Sequence, residues 1–166
     1  MSKSSIPFLA AGAGLFAALA LAGIPGSAEA SASCAAGRPS VLVRVDGLKQ
    51  PTGQLKVSLY GSDASLWLAK QGRIHRTKVP VTGKAMDICL PVPAPGRYAV
   101  AVHHDLNLNG SRDRQDGGGY SRNPKVSLLN PKPPFARASF PVGQEQAQVG
   151  VTLLYIKGMS VGPAGS

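Results

Sequence analysis

The sequence predicts an all-β protein: an antiparallel β-sandwich of about seven strands, with one short helix near residues 62–70. Three observations lead there. Past residue 40 the apolar residues alternate one by one rather than with a helical period. Clusters of Gly, Pro, Asn and Asp separate the alternating segments at short intervals. The chain also lacks the long helices that would have to alternate with strands in a parallel α/β sheet.

The elements follow in order. VLVRVDGL, Val41 to Leu48, is rich in β-formers and runs into Lys49-Gln50-Pro51-Thr52-Gly53, which is turn chemistry. In the QLKVSLYG that follows, Leu55, Val57 and Leu59 fall on one face and Lys56, Ser58 and Tyr60 on the other, so the two segments read as a hairpin. SDASLWLAK, Ser62 to Lys70, offers a Ser or Asp cap and then Leu66, Trp67 and Ala69, a short helix crossing an open edge. Trp67, the single Trp, reads as a core plug. RTKVPVT reads as an edge strand, since Pro80 cannot donate to a ladder. KAMDICL sets Met86, Ile88 and Leu90 against Ala85, Asp87 and Cys89. RYAVAVHHD is the strongest strand, with Tyr98, Val100, Val102 and His104 on one face. Gly117 to Pro134 reads as a long loop, and FARASFPV and AQVGVTLLY as a closing strand pair around Gly143-Gln144-Glu145.

Residues 1–30 read as a signal peptide: a basic start, an apolar run from Ile6 to Ile24, and a small-residue end with cleavage after Ala30 or Ala32. The competing reading is a membrane anchor, but the run is short, rich in Ala and Gly, and lacks a basic stop-transfer cluster. Residues 31–40 form an N-terminal segment, 41–156 the sandwich domain, and 157–166 a disordered tail. The remaining chain, roughly 136 residues, suffices for one core and holds no further span for a bilayer. Its location is then periplasmic or secreted. Two cysteines in an exported chain favour a Cys34–Cys89 disulfide. A lipid on Cys34 is the other option, but Ser31-Ala32-Ser33 lacks the large aliphatic residue of a lipid-attachment box.

The formal net charge of +10 predicts attraction to anionic surfaces. Few aromatic residues and no basic helix argue against nucleic acid and leave an anionic envelope glycan or lipid, or another extracellular partner. The plainer reading is that the charges are scattered over solvated faces.

Against that basic background, three of the eight acidic residues crowd into His103–Asp116, HHDLNLNGSRDRQD. With Asp105 as position one, Asn107, Asn109, Gly110, Ser111, Asp113 and Asp116 fall at three, five, six, seven, nine and twelve of a calcium-loop register. Asp105, Asn107, Asn109, Ser111, Asp113 and Asp116 are therefore candidate calcium ligands, and Gly110 supplies the sharp reversal. Asp116 replaces the usual bidentate Glu, and Arg112 and Arg114 lower the loop's negative charge. The metal-free reading is a set of Asx-turns in which the same side chains cap backbone N–H groups.

Catalytic signatures are sparse. No Gly-x-Ser-x-Gly and no His-Glu-x-x-His occurs. A metal-dependent hydrolase would have to use His103 or His104 with Asp105, yet adjacent strand residues face opposite ways. The leading expectation is a non-enzymatic module with a calcium-type loop, and the hydrolase and the anion-binding module are the rivals.

The run GRYAVAVHHDLNLNGSRDRQDGGGYSRN, then PPFARASFPV and a closing VTLLY, resembles a bacterial family of exported proteins known as domain-of-unknown-function family 2141. The family pattern falls on Gly96, Tyr98, His104, Asp105, Asn107, Asn109, Gly110, Asp113, Ser121, Asn123, Phe135, Ala138 and Phe140. The resemblance implies a small immunoglobulin- or transthyretin-like sandwich outside the cytoplasm, and no activity. The chain departs after the loop, where relatives continue into Gly-x-Pro-x-Glu and this one carries a Gly triplet.

Overall fold

Residue 34 and residues 37–164 are described by a computed structural model, in which the residue-by-residue alternation resolves into a mostly β fold. The signal peptide expected over residues 1–30 lies outside the described residues. Ten strands form: β1 (Ser40–Asp46), β2 (Gln54–Tyr60), β3 (Arg73–Pro80), β4 (Met86–Pro91), β5 (Gly96–Asp105), β6 (Gly117–Tyr120), β7 (Phe140–Val142), β8 (Gln146–Thr152), β9 (Tyr155–Lys157) and β10 (Ser160–Gly162). A three-stranded sheet runs β4-β1-β8, a five-stranded one runs β3-β2-β5-β6 with β7 also on β5, and β9 and β10 form a hairpin. The orders are open, and no barrel forms among the described residues.

The count exceeds the expected seven because short strands arise where alternation is weak. Residues 117–120 are Gly-Gly-Gly-Tyr, which pair with β5 through backbone alone. The expected tail beyond residue 156 carries most of the β9–β10 hairpin. The short helix expected near 62–70 is a single 3-10 turn at Ala64–Leu66, capped by the Asp63 carboxylate accepting from Ser65 N–H.

Three pairings differ from expectation. β1 and β2 are not a hairpin: β1 pairs β4 and β8, while β2 pairs β3 and β5. β7 and β8 are not partners either, since β7 adds to β5 and β8 to β1, and Phe135–Ala138 forms a helical turn ahead of β7. The β1–β8 pairing is parallel, so the sheets are not wholly antiparallel. The common reason is that strand alternation fixes which face is apolar but says nothing about which neighbour completes the ladder.

The core takes its residues from both larger sheets. Val41, Val43 and Val45 of β1, Ile88 and Leu90 of β4, and Val149 and Val151 of β8 join Leu55, Val57 and Leu59 of β2 and Val100 and Val102 of β5. β5 is paired along both edges, by β2 on one side and by β6 and then β7 on the other. Ser121 seals the junction between those two short strands: its Oγ accepts from Val100 N–H at 2.8 Å and donates to the Ala138 carbonyl at 2.6 Å.

A second cluster covers one end of the other face of the five-stranded sheet. Trp67 packs edge-on against Tyr60, Tyr120 and Phe135, its indole N–H donating to the Pro133 carbonyl at 2.8 Å. Trp67 is thus a plug, over this second cluster rather than in the main core. Cys34 and Cys89 form a disulfide with their Cα atoms 5.5 Å apart, joining the N-terminal segment to β4. Among the described residues no helix is long and apolar enough to cross a membrane.

Candidate functional site

Strand alternation sorts the end of β5. His104 turns inward and is fully buried, and His103 and Asp105 turn to the outer face. The two histidines are therefore built into different networks. His104 Nε2 lies 2.7 Å from the Thr52 carbonyl, which can only accept, so Nε2 carries the hydrogen. Nδ1 then accepts from the Tyr155 hydroxyl at 2.7 Å, and that hydroxyl accepts from Lys49 N–H. Burial pushes the Tyr155 hydroxyl above its ordinary pKa. This side of the strand is structural, and it ties the residue-52 turn to β9.

The Asp105–Asp116 loop is held from within. Asp105 Oδ2 accepts from Gly110 N–H at 3.0 Å and Gln54 Nε2 at 3.1 Å, and lies 2.6 Å from the Lys56 ammonium. Asn107 Oδ1 caps Asn109 N–H, Asn109 Oδ1 caps Ser111 N–H, and Asp113 Oδ1 caps Gln115 N–H, three Asx-turns in a row. Both Asn side chains then donate their NH2 groups to Asp113 Oδ2. At the far end Asp116 accepts from Leu106 and Asp113 N–H groups and lies 2.7 Å from His103 Nε2. Gly110 has φ +82°, the left-handed turn that the register called for.

Five of the six candidate ligands thus fall into three groups. Asn107, Asn109 and Asp113 form one, Asp105 belongs to Lys56, and Asp116 to His103. Ser111 contributes its N–H to the Asn109 cap. In this arrangement the amide oxygens accept backbone N–H groups, and Asp105 meets the Lys56 ammonium through Oδ2 while its buried Oδ1 has no hydrogen-bond partner among the described residues. Among the described residues no three His, Cys, Asp or Glu side chains form a metal-holding group.

The electrostatics follow from burial. Burial alone would raise Asp105, but the Lys56 ammonium, the Gln54 amide and the Gly110 N–H outweigh it and hold the carboxyl at about 2. Burial lowers His103, helped by the Arg112 and Lys56 charges and opposed by Asp116.

Beside the loop, a cleft of about 460 Å³ opens on the outer face of the five-stranded sheet. Its floor is Lys56, Ser58 and Tyr60 of β2 and Ala101 and His103 of β5, with Tyr120 alongside. Arg73 and Arg76 of β3, Arg112 of the loop and Lys132 supply its walls. Only one of these cations is matched: Lys56, whose side chain is 2% exposed, takes Asp105. Arg73, Arg76, Arg112 and Lys132 make no ion pair with a carboxylate among the described residues, and Arg73 instead donates to the Tyr60 hydroxyl at 3.3 Å.

Sequence reasoning missed this cleft. Lys56 carries no signal of burial, because an alternating polar position reads as solvent-facing. Arg73 and Arg76 of β3 and Arg112 of the loop come from separate segments, and the β2–β3 register, with Ser58 opposite Arg76 and Tyr60 opposite Arg73, brings the first two over the floor that Arg112 also lines.

Two glycines of the triplet have a steric cause: a Cβ on Gly117 would enter the Tyr155 ring, and one on Gly119 would meet Val151 and the Thr152 carbonyl. Asn123, another motif residue, accepts from Thr152 N–H at 2.8 Å and donates to its hydroxyl, and so docks the segment after β6 onto β8.

No curated protein and no solved structure matches the chain. The family model described as an uncharacterized protein conserved in bacteria (DUF2141) matches residues 43–150, well over half of the chain, and the protein belongs to that family.

Proposed function

We propose that the protein is an exported, non-enzymatic binding module that holds an anionic ligand in the cleft on its outer sheet face. Two sheets contributing to one core support a β-sandwich of the immunoglobulin or transthyretin kind as its frame. The observation that carries the reading is the imbalance of charge: Arg73, Arg76, Arg112 and Lys132 line one cleft above the buried Lys56, with no carboxylate paired to them among the described residues. A walled cleft lined by one sign of charge concentrates counter-ions of the other. In this reading the Asp105–Asp116 loop is a self-capped wall that delivers Arg112. His103 and His104 leave β5 on opposite faces, which favours binding over a hydrolytic site that would need both imidazoles beside Asp105. The test is retention on an immobilised sulfated glycan and on anionic lipid at low and high salt. Retention lost in high salt and in R76Q/R112Q supports the reading, and retention unchanged by both overturns it.

Calcium is the second reading, favoured by the donor register and by the left-handed Gly110. Each Asn Oδ1 accepts one backbone N–H and keeps a second lone pair, and Asp105 Oδ1 has no hydrogen-bond partner among the described residues, so the ion requires these oxygens and Asp113 to turn toward one centre. Thermal unfolding in millimolar calcium and in chelator decides: equal midpoints support the self-capped loop, and a rise of several degrees with calcium supports the ion.

A further inference from the structure

We infer that the anionic ligand is an acidic oligosaccharide that lies along β2 and is gripped at both ends of the cleft. This rests on the anion-binding reading and deepens it.

Length is the first argument. Lys56, Ser58 and Tyr60 share one face of β2, and four residues of extended chain cover roughly 13 Å. At one end stand Lys56, His103 opposite it, and Arg112. At the other stands Arg73 on the Tyr60 hydroxyl, with Arg76 opposite Ser58 between them. A lone oxyanion reaches one of these stations, whereas a chain of sugars with acidic groups on separate residues reaches both.

The floor is the second argument. Between the cations lie the Ser58 and Tyr60 hydroxyls, which can exchange hydrogen bonds with sugar hydroxyls, while the Tyr120 hydroxyl donates to the Pro131 carbonyl and His103 Nε2 lies on Asp116. The Tyr60 and Tyr120 rings are buried in edge-on contact with Trp67, so neither offers a free face for a nucleobase. The lining mixes hydroxyls and charges with Leu68, Ala101 and Pro131, which suits the mixed faces of a sugar, where an acyl chain would need a wholly apolar slot.

The third argument is Lys56. Its ammonium carries three N–H donors and has one acceptor, Asp105, among the described residues. That nitrogen is sealed from solvent, so Lys56 lies beneath the floor's surface and the cations a ligand can touch are those of the walls. The pair Lys56–Asp105 is neutral by itself, so the surplus charge of the walls calls for a ligand carrying at least two negative charges.

The experiment is calorimetric titration of the full chain at low salt with four probes: a sulfated uronic-acid tetrasaccharide, free glucuronic acid, inorganic phosphate, and phosphatidylglycerol vesicles. The tetrasaccharide should bind at least tenfold more tightly than glucuronic acid or phosphate, and R73Q and R112Q should each weaken it about tenfold. R112Q alone should weaken glucuronic acid. R76Q, at an exposed edge-strand position, repeats the test if R73Q melts early. R38Q/K84Q, which removes two exposed cations outside the cleft, should leave tetrasaccharide binding within about twofold of the parent. Phosphate or glucuronic acid binding as tightly as the tetrasaccharide overturns the two-ended grip while leaving an anion site. Binding to vesicles alone replaces the saccharide with a lipid headgroup. A loss in R38Q/K84Q equal to that in R73Q means dispersed charge and overturns the site. Silence from all four probes removes the anion-binding reading itself.

Discussion

Asp105 and Asp116 each gather three partners at the site, and Asp105 is the one that carries a buried ammonium. It is fully buried, fixes Gly110 in the loop and Gln54 at the start of β2, and neutralises Lys56. Removing its charge leaves a buried ammonium unpaired, so D105N should cost about 3–5 kcal/mol in chemical denaturation, and K56M added to D105N should recover most of it. The pH dependence has a definite sign. The carboxyl is held at about 2 against an ordinary 3.8, so its stabilisation is complete above about pH 4 and is lost as pH falls toward 2. That contribution is about 2 kcal/mol. Unfolding followed from pH 5 down to pH 2 should steepen in the parent and flatten in D105N. The sequence made Asp105 visible as a ligand-type residue, but its partner was hidden, because Lys56 acquires its burial from what covers β2 and not from its own strand.

Among the elements, β5 is the one that positions both networks, and its edge is continuous only because Ser121 bridges β6 and β7. S121A strands the Val100 N–H and the Ala138 carbonyl in a buried place, which should cost about 2–3 kcal/mol by denaturant titration. S121G, which also removes the hydroxyl, should be no milder. A loss under 0.5 kcal/mol in S121A would mean that water or the neighbouring strands fill the gap. G119A should likewise destabilise, by about 1–3 kcal/mol, because its new methyl group meets Val151 and the Thr152 carbonyl. At this level the sequence was informative about β2, β4 and β5, whose alternating apolar faces are found in the core. It was silent about β6, where three glycines offer no side chains to alternate, and it misassigned partners to β1, β2, β7 and β8, since ladder choice is made by distant segments.

Across the whole molecule, the disulfide and the charge distribution are the features that local reading handled differently. Cysteine parity and the expectation of export pointed to Cys34–Cys89, which closes a sequence separation of 55. By loop-closure entropy it stabilises the fold by about 4 kcal/mol, so C34S/C89S should unfold at correspondingly lower denaturant. The net charge of +10 was legible at once, whereas the placing of Arg73 and Arg76 of β3, Arg112 and Lys132 around one cleft was not, because these three segments are distant in sequence and line it only in the folded chain. The most direct measurement is amide chemical-shift mapping of the isotope-labelled protein during titration with the acidic tetrasaccharide. Shifts confined to β2, β3, the end of β5 and the Arg112 loop are predicted, saturating with a single affinity. Shifts spread over the β4-β1-β8 sheet, or none near Lys56 and Arg112, would contradict a ligand in this cleft.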